Sequence, residues 1–305
     1  MKKIFISLIF FISCLHLKAQ DSLLRSVNDS LSAAGSTEYV TGTFKALYIV
    51  NMKTIEAPAG GALNVEFQHR FGTVNSGAYN LFGLDFATFR LGADYGISDR
   101  LSVGIGRSSY LKTFDGYLKY KLFRQTAQSN RMPVSVSLLG TSSYYTEHFA
   151  QKDSGLSNKY RFNYTAQVLI ARKFNSHLSV ELTPTFIHYN LVESSADKNN
   201  VFALCGGARM KITKRMSINV EYDYLFPNQL VSTTDPPRSN SLSLGWDIET
   251  GGHVFQLVFT NSQSMVESQY IGQTVGTWGK GYIYFGFNIS RNFNLKPHDK
   301  PKTKA

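Results

Sequence analysis

The chain has little of what stabilises or anchors most exported proteins. Among 305 residues there are two cysteines, Cys14 and Cys205, and Cys14 lies in a stretch that reads as a cleaved leader. A single remaining thiol excludes an intrachain disulfide framework. Past the leader, no apolar run approaches the ~20 residues that a membrane-crossing helix needs, which excludes a helical membrane protein. The 3.6-residue periodicity of a soluble α/β domain is nearly absent. Charged residues make up only 17% and there are eight prolines. The HExxH, GxSxG and cysteine-cluster signatures of zinc enzymes and serine hydrolases are missing. No catalytic residue, metal ligand or cofactor is therefore expected.

The N-terminus, MKKIFISLIFFISCLHLKAQ, pairs Lys2 and Lys3 with an apolar run from Ile4 to Ile12 and a small residue at Ala19. That layout predicts a signal peptide over residues 1–19, cleaved near Ala19–Gln20. The net charge of +11 owes three lysines to this leader and four (Lys296, Lys300, Lys302, Lys304) to the tail at 294–305. The basic balance is thus partly terminal, and no nucleic acid is expected as a partner.

What the chain does have is alternation. In FATFRLGADYGI (86–97), Phe89, Leu91, Ala93 and Tyr95 share one face, and Arg90, Gly92 and Asp94 the other. HLSVELTPTF, MSINVEYDY and SLSLGWDIE repeat the pattern. In KYRFNYTAQVLIA (159–171), Tyr160, Phe162, Tyr164, Ala166, Val168 and Ile170 oppose Arg161, Asn163, Thr165 and Gln167. Period-2 alternation over about ten residues is the mark of a β-strand, whose side chains point to opposite faces in turn. Twelve such strands fit between 61 and 293, among them 132–143, 159–172 and 280–291. Short connections (SD, KFNS, TK, TGG) alternate with long polar ones such as NQLVSTTDPPRS and NSQSMVESQYIGQTVGTWG. Segregated loop lengths and ten-residue strands predict an all-β fold, a transmembrane antiparallel β-barrel of about 12 strands. Its turns would be periplasmic and short, its loops extracellular and long, and its location the cell outer membrane. Closure follows because an open sheet edge in lipid leaves backbone groups unpaired. The aromatic-to-aliphatic face then points into lipid, with Tyr160, Phe162, Tyr164, Tyr222 and Tyr224 at the extracellular interface.

Residues 20–60 are harder to read. DSLLRSVNDSLS spaces Leu23, Val27 and Leu31 as a short amphipathic helix would. TFKALYIVNM is compatible with a thirteenth strand, a periplasmic segment, or a stretch tucked into the barrel.

Three stretches resemble an uncharacterised family of Gram-negative outer-membrane β-barrel proteins, a domain of unknown function. They are NMKTIEAPAGGALNVEFQHRFG (51–72), GAYNLFGLDFATFRLGADYGISDRLSVGIGRSSYLKTFDGYLKYKLFRQ (77–125) and GYIYFGFNISRNF (281–293). The resemblance implies a barrel and an outer-membrane location, and no activity or ligand. The last stretch also has the form of a C-terminal signal for barrel insertion machinery, except that the chain continues past Phe293. Expected partners are that machinery, outer-membrane lipid and small hydrophilic solutes.

The polar face holds the candidate site. By parity Arg90, Asp94, Lys119, Arg161, Glu181, Arg209, Glu221 and Asp223 line the lumen as a solute path, beside Asp115, Asp247 and Glu249. Charged linings select solutes in channels. Twelve strands lie between the eight whose interior side chains fill and the sixteen that leave an aqueous channel, and the mixed signs favour pairing. Glycines at 92, 104, 106, 207, 245 and 286 leave room on the same face. The leading expectation is a porin-like channel for small hydrophilic solutes. The alternatives are a non-conducting barrel acting as a binding or assembly platform, and a lipid hydrolase for which His188 is the sole candidate residue.

Overall fold

The computed structural model describes residues 38–127, 132–147, 157–231 and 234–295; the leader at 1–19, the amphipathic stretch after it and the basic tail beyond 295 lie outside them. No helix among the described residues is long and apolar enough to cross a membrane. The chain crosses with strands instead. Twelve form a closed antiparallel barrel: β1 (Ala62–Thr73), β2 (Ala87–Gly96), β3 (Leu101–Ser108), β4 (Thr113–Phe123), β5 (Ser135–Tyr145), β6 (Phe162–Lys173), β7 (Leu178–Tyr189), β8 (Asn200–Lys211), β9 (Met216–Leu225), β10 (Ser241–Thr250), β11 (His253–Thr260) and β12 (Tyr284–Asn294). Each strand pairs with its sequence neighbours, and β1 with β12 closes the ring, with Phe67 opposite Ile289. Closure satisfies every wall strand on both edges, as a lipid environment demands.

The expected strand 159–172 begins at Phe162 because Asn158–Arg161 form a 3-10 turn, so Tyr160 stands at the mouth. The expected 280–291 begins at Tyr284, after a 3-10 turn at Trp278–Lys280, and runs on to Asn294. The strand expected from residue 132 starts at Ser135.

Burial is inverted relative to a soluble protein. Outward-facing Ile105, Leu118, Phe202 and Trp246 are exposed, whereas inward-facing Gln68, Arg90, Lys119, Glu221 and Asp223 are buried. Aromatic side chains pack along the outer wall at its long-loop end, as with Tyr144 tilted against Phe162 at 4.6 Å between centroids and Phe162 stacked on Tyr164 at 6.2 Å.

The interior also has an apolar core. Leu139, Leu169, Ile187, Val201 and Cys205 face inward from β5 to β8 and are fully buried, in contact with Phe44, Ile49, Met52 and Ile55. Residues 44–56 are not a wall strand. They form a hairpin inside the barrel, with Ile49 N–H donating to Met52 O and Thr54 N–H to Leu47 O, both at 2.8 Å. Both legs enter from the short-turn end. The first is anchored beside the β4–β5 turn, where Val40 N–H donates to Gln125 O at 2.8 Å, and the second runs through Gly60 directly into β1.

Candidate functional site

The hairpin tip at Ile49–Met52 has backbone groups that its own turn does not pair, and the wall supplies their partners. Glu221 on β9 accepts N–H bonds from Val50, Asn51 and Met52 at 3.0, 3.0 and 2.9 Å on one carboxylate oxygen. The Ile49 carbonyl accepts from Asn219 at 3.3 Å and Gln256 at 2.6 Å, and the Val50 carbonyl from Asn288 at 3.0 Å. Lower on the second leg, Glu181 accepts the Ile55 N–H at 2.7 Å. Lys119 donates to the Thr54 carbonyl at 3.0 Å and also to that of Glu56. Hydrogen bonds with an ionised partner are about twice as strong as neutral ones, so the wall's carboxylates and Lys119 hold the hairpin by its main chain in addition to its apolar packing.

A second element fills the lumen from the opposite end. The β11–β12 connection folds inward, and its short helix α1 (Glu267–Gly272) is buried throughout. Tyr189 donates to Ser268 O at 2.6 Å and Gln269 to Thr113 Oγ1 at 2.8 Å, fixing α1 to the wall. The two fillings meet at one ion pair: Lys53 Nζ of the hairpin lies 2.5 Å from Glu267 Oε1, both side chains at most 2% exposed. The Lys53 ammonium also sits 4.7 Å from the Tyr117 ring centre and 5.1 Å from that of Tyr48. In such surroundings an ion pair gains little over an apolar pair, but loss of one partner strands a buried charge at about 3–5 kcal/mol.

The wall charges expected from parity come to the lumen in distinct roles. Arg90 makes a bidentate pair with Asp115, at 2.9 and 2.5 Å. Asp94 accepts from Tyr117 at 2.8 Å and Asn64 at 3.0 Å. Arg209 bonds Glu249 at 2.5 Å and lies 4.0 Å from Asp247. Asp223 is fully buried between its cross-strand neighbours Cys205 and Ser241. Arg161 lies apart from these, at the long-loop mouth, where it donates to the carbonyls of Tyr145 and Glu147. Sequence reasoning missed Arg70, which donates to Asn51 and Asn288 at 2.8 Å each, although it shares the inward parity of Glu66 and Gln68. It also missed Lys53 and Glu267, for which local sequence holds no signal.

The inward glycines do not leave a passage. A Cβ at Gly207 would collide with Ile49 of the hairpin, and one at Gly106 with the Arg90 guanidinium. The cavity beside Tyr48, Glu66, Gln256 and Asn288 measures ≈ 10 Å³, room for about one water. His188, on the outer face, has Asn200 as its hydrogen-bond partner at 2.7 Å and no serine. Among the described residues no group of three or more His, Cys, Asp or Glu side chains is placed to hold a metal ion.

A closed barrel of twelve lipid-crossing strands with an apolar exterior and a polar, filled interior is a membrane β-barrel of the outer-membrane kind. The chain belongs to the family described as membrane bound beta barrel domain (DUF5777), which matches residues 44–293. The match begins at Phe44, where the hairpin enters the lumen, so the hairpin is part of the family's domain. No curated protein matches the chain. Similar solved structures include the NanC porin (TM-score 0.49, 9% identical, 76% of this chain and 100% of that one) and the KdgM porin (0.45, 10%, 75% and 99%). An outer membrane channel from Pseudomonas putida F1 is also similar (0.43, 14%, 78% and 97%).

Proposed function

We propose that this barrel is a non-catalytic conduit for small hydrophilic solutes, held shut by the hairpin at 44–56 together with the inward β11–β12 loop that carries α1, and opened when the hairpin withdraws and the loop, released from Lys53, moves aside with it. One observation carries the reading: both legs of the hairpin lie at the short-turn end, and its tip is held by side chains of the wall. Such an element can leave without unthreading the chain and without breaking a strand pair. Export through a leader at 1–19, insertion by the barrel machinery through β12, and a belt of outer-membrane lipid belong to the same reading.

The apolar packing of Phe44, Ile49, Met52 and Ile55 favours a second reading, a permanently sealed barrel that serves as a binding or assembly platform. Each of those side chains contributes about 1.5–3 kcal/mol by burial, which opposes withdrawal. Single-channel recording in planar bilayers separates the two. The conduit predicts rare openings in the unaltered protein and frequent ones when the hairpin is weakened. A folded barrel with a weakened hairpin and no openings would leave the platform reading.

A further inference from the structure

We infer that the opened lumen selects cations, so that the solutes it passes are small ammonium- or guanidinium-bearing molecules. The inference rests on the conduit reading and deepens it. Two clusters on the wall have their own cation: Arg90 pairs with Asp115, and Arg209 stands between two carboxylates, Asp247 and Glu249. Setting these aside leaves, within the lumen, Glu66, Asp94, Glu181, Glu221, Asp223 and the loop's Glu267 against Arg70 and Lys119, with Arg161 apart at the long-loop mouth. That is an excess of four negative charges before the second carboxylate beside Arg209 is considered.

In the closed state the hairpin answers most of this excess. Lys53 pairs with Glu267, and backbone N–H groups serve Glu221 and Glu181. Withdrawal removes all of these partners together and puts water in their place. Glu66, Asp94, Glu181, Glu221 and Asp223 stay on the wall, in a narrow lumen whose low-dielectric walls concentrate their field. Rings of Asp and Glu are how cation channels select. Glu221 is the focus: an oxygen that accepts three N–H donors from the hairpin meets the requirement of an ammonium group. Lys121, Arg124 and Lys173 at the periplasmic rim oppose the field only weakly, because they stand at the wetter mouth where salt screens them.

The test uses the full chain carrying Val50→Asp and Lys53→Glu, which set like charges against Glu221 and Glu267 while leaving the wall untouched. Retained heat-modifiable gel mobility reports a folded barrel. Across a KCl gradient in planar bilayers, the expected result is a permeability for K⁺ over Cl⁻ on the order of tenfold. Adding Glu181→Gln and Glu267→Gln should bring the ratio towards unity. A ratio at or below one in the opened variant overturns the inference while leaving the conduit standing. No conductance from a folded opened variant overturns the conduit itself. If the variant does not fold, voltage-driven openings of the unaltered chain give the same ratio.

Discussion

At the scale of the residue, Glu221 and Gly207 are the positions where small changes should move the hairpin. Glu221→Gln keeps the shape of the acceptor and removes its charge, turning three charge-assisted hydrogen bonds into weaker ones. A loss of about 1–2 kcal/mol in hairpin retention is expected, raising the open fraction roughly 5- to 30-fold in single-channel records. Gly207→Leu drives a side chain into the space of Ile49. It should displace the tip at a cost of about 1–3 kcal/mol while β8 keeps its pairing, so channel openings rise and the heat-modifiable gel shift persists. An unchanged open probability in both variants would remove the hairpin from any gating role. Most inward charges follow from strand parity alone. Their partners do not, because Lys53 and Glu267 are separated by 214 residues and meet only once both ends of the lumen are filled.

Among the elements, the hairpin and α1 should behave as one coupled unit. Lys53→Met and Glu267→Gln singly are each expected to cost about 3–5 kcal/mol, because either leaves the other group buried without its partner. The double variant should cost clearly less than their sum, and a double-mutant cycle in urea unfolding measures the difference. Strict additivity would mean the two fillings do not communicate. Wall strands were legible in sequence to within a few residues, since lipid on one side and polar groups on the other enforce period 2. Two of the boundaries that moved lie where a 3-10 turn precedes β6 and β12, and alternation cannot distinguish a turn that keeps its parity. The hairpin was illegible because TFKALYIVNM suits a strand as well as a plug. Its trace lies elsewhere, in β8, where Val201, Ala203 and Cys205 face inward while Phe202 and Leu204 face lipid. A lumen wall apolar on its inner side requires something apolar against it.

The whole molecule is a barrel whose outside must suit lipid. Leu257 faces lipid at the middle of β11, beside Trp246 and Phe287. Leu257→Arg should destabilise the inserted barrel by about 2–4 kcal/mol, read as a loss of the compact unheated form on gels. Recovery of the unaltered chain in a soluble periplasmic fraction would overturn the fold. The hairpin's place in the chain also bears on how the barrel assembles. Residues 44–56 precede every strand, yet their partners Glu181, Glu221, Gln256 and Asn288 come from β7, β9, β11 and β12, up to 238 residues away. Contacts of such separation form late and slowly, and because both legs enter at one end the hairpin can seat after β12 has met β1. The hairpin is then a stopper seated in a finished vessel, and a chain lacking it should complete its seam as fast as one that carries it.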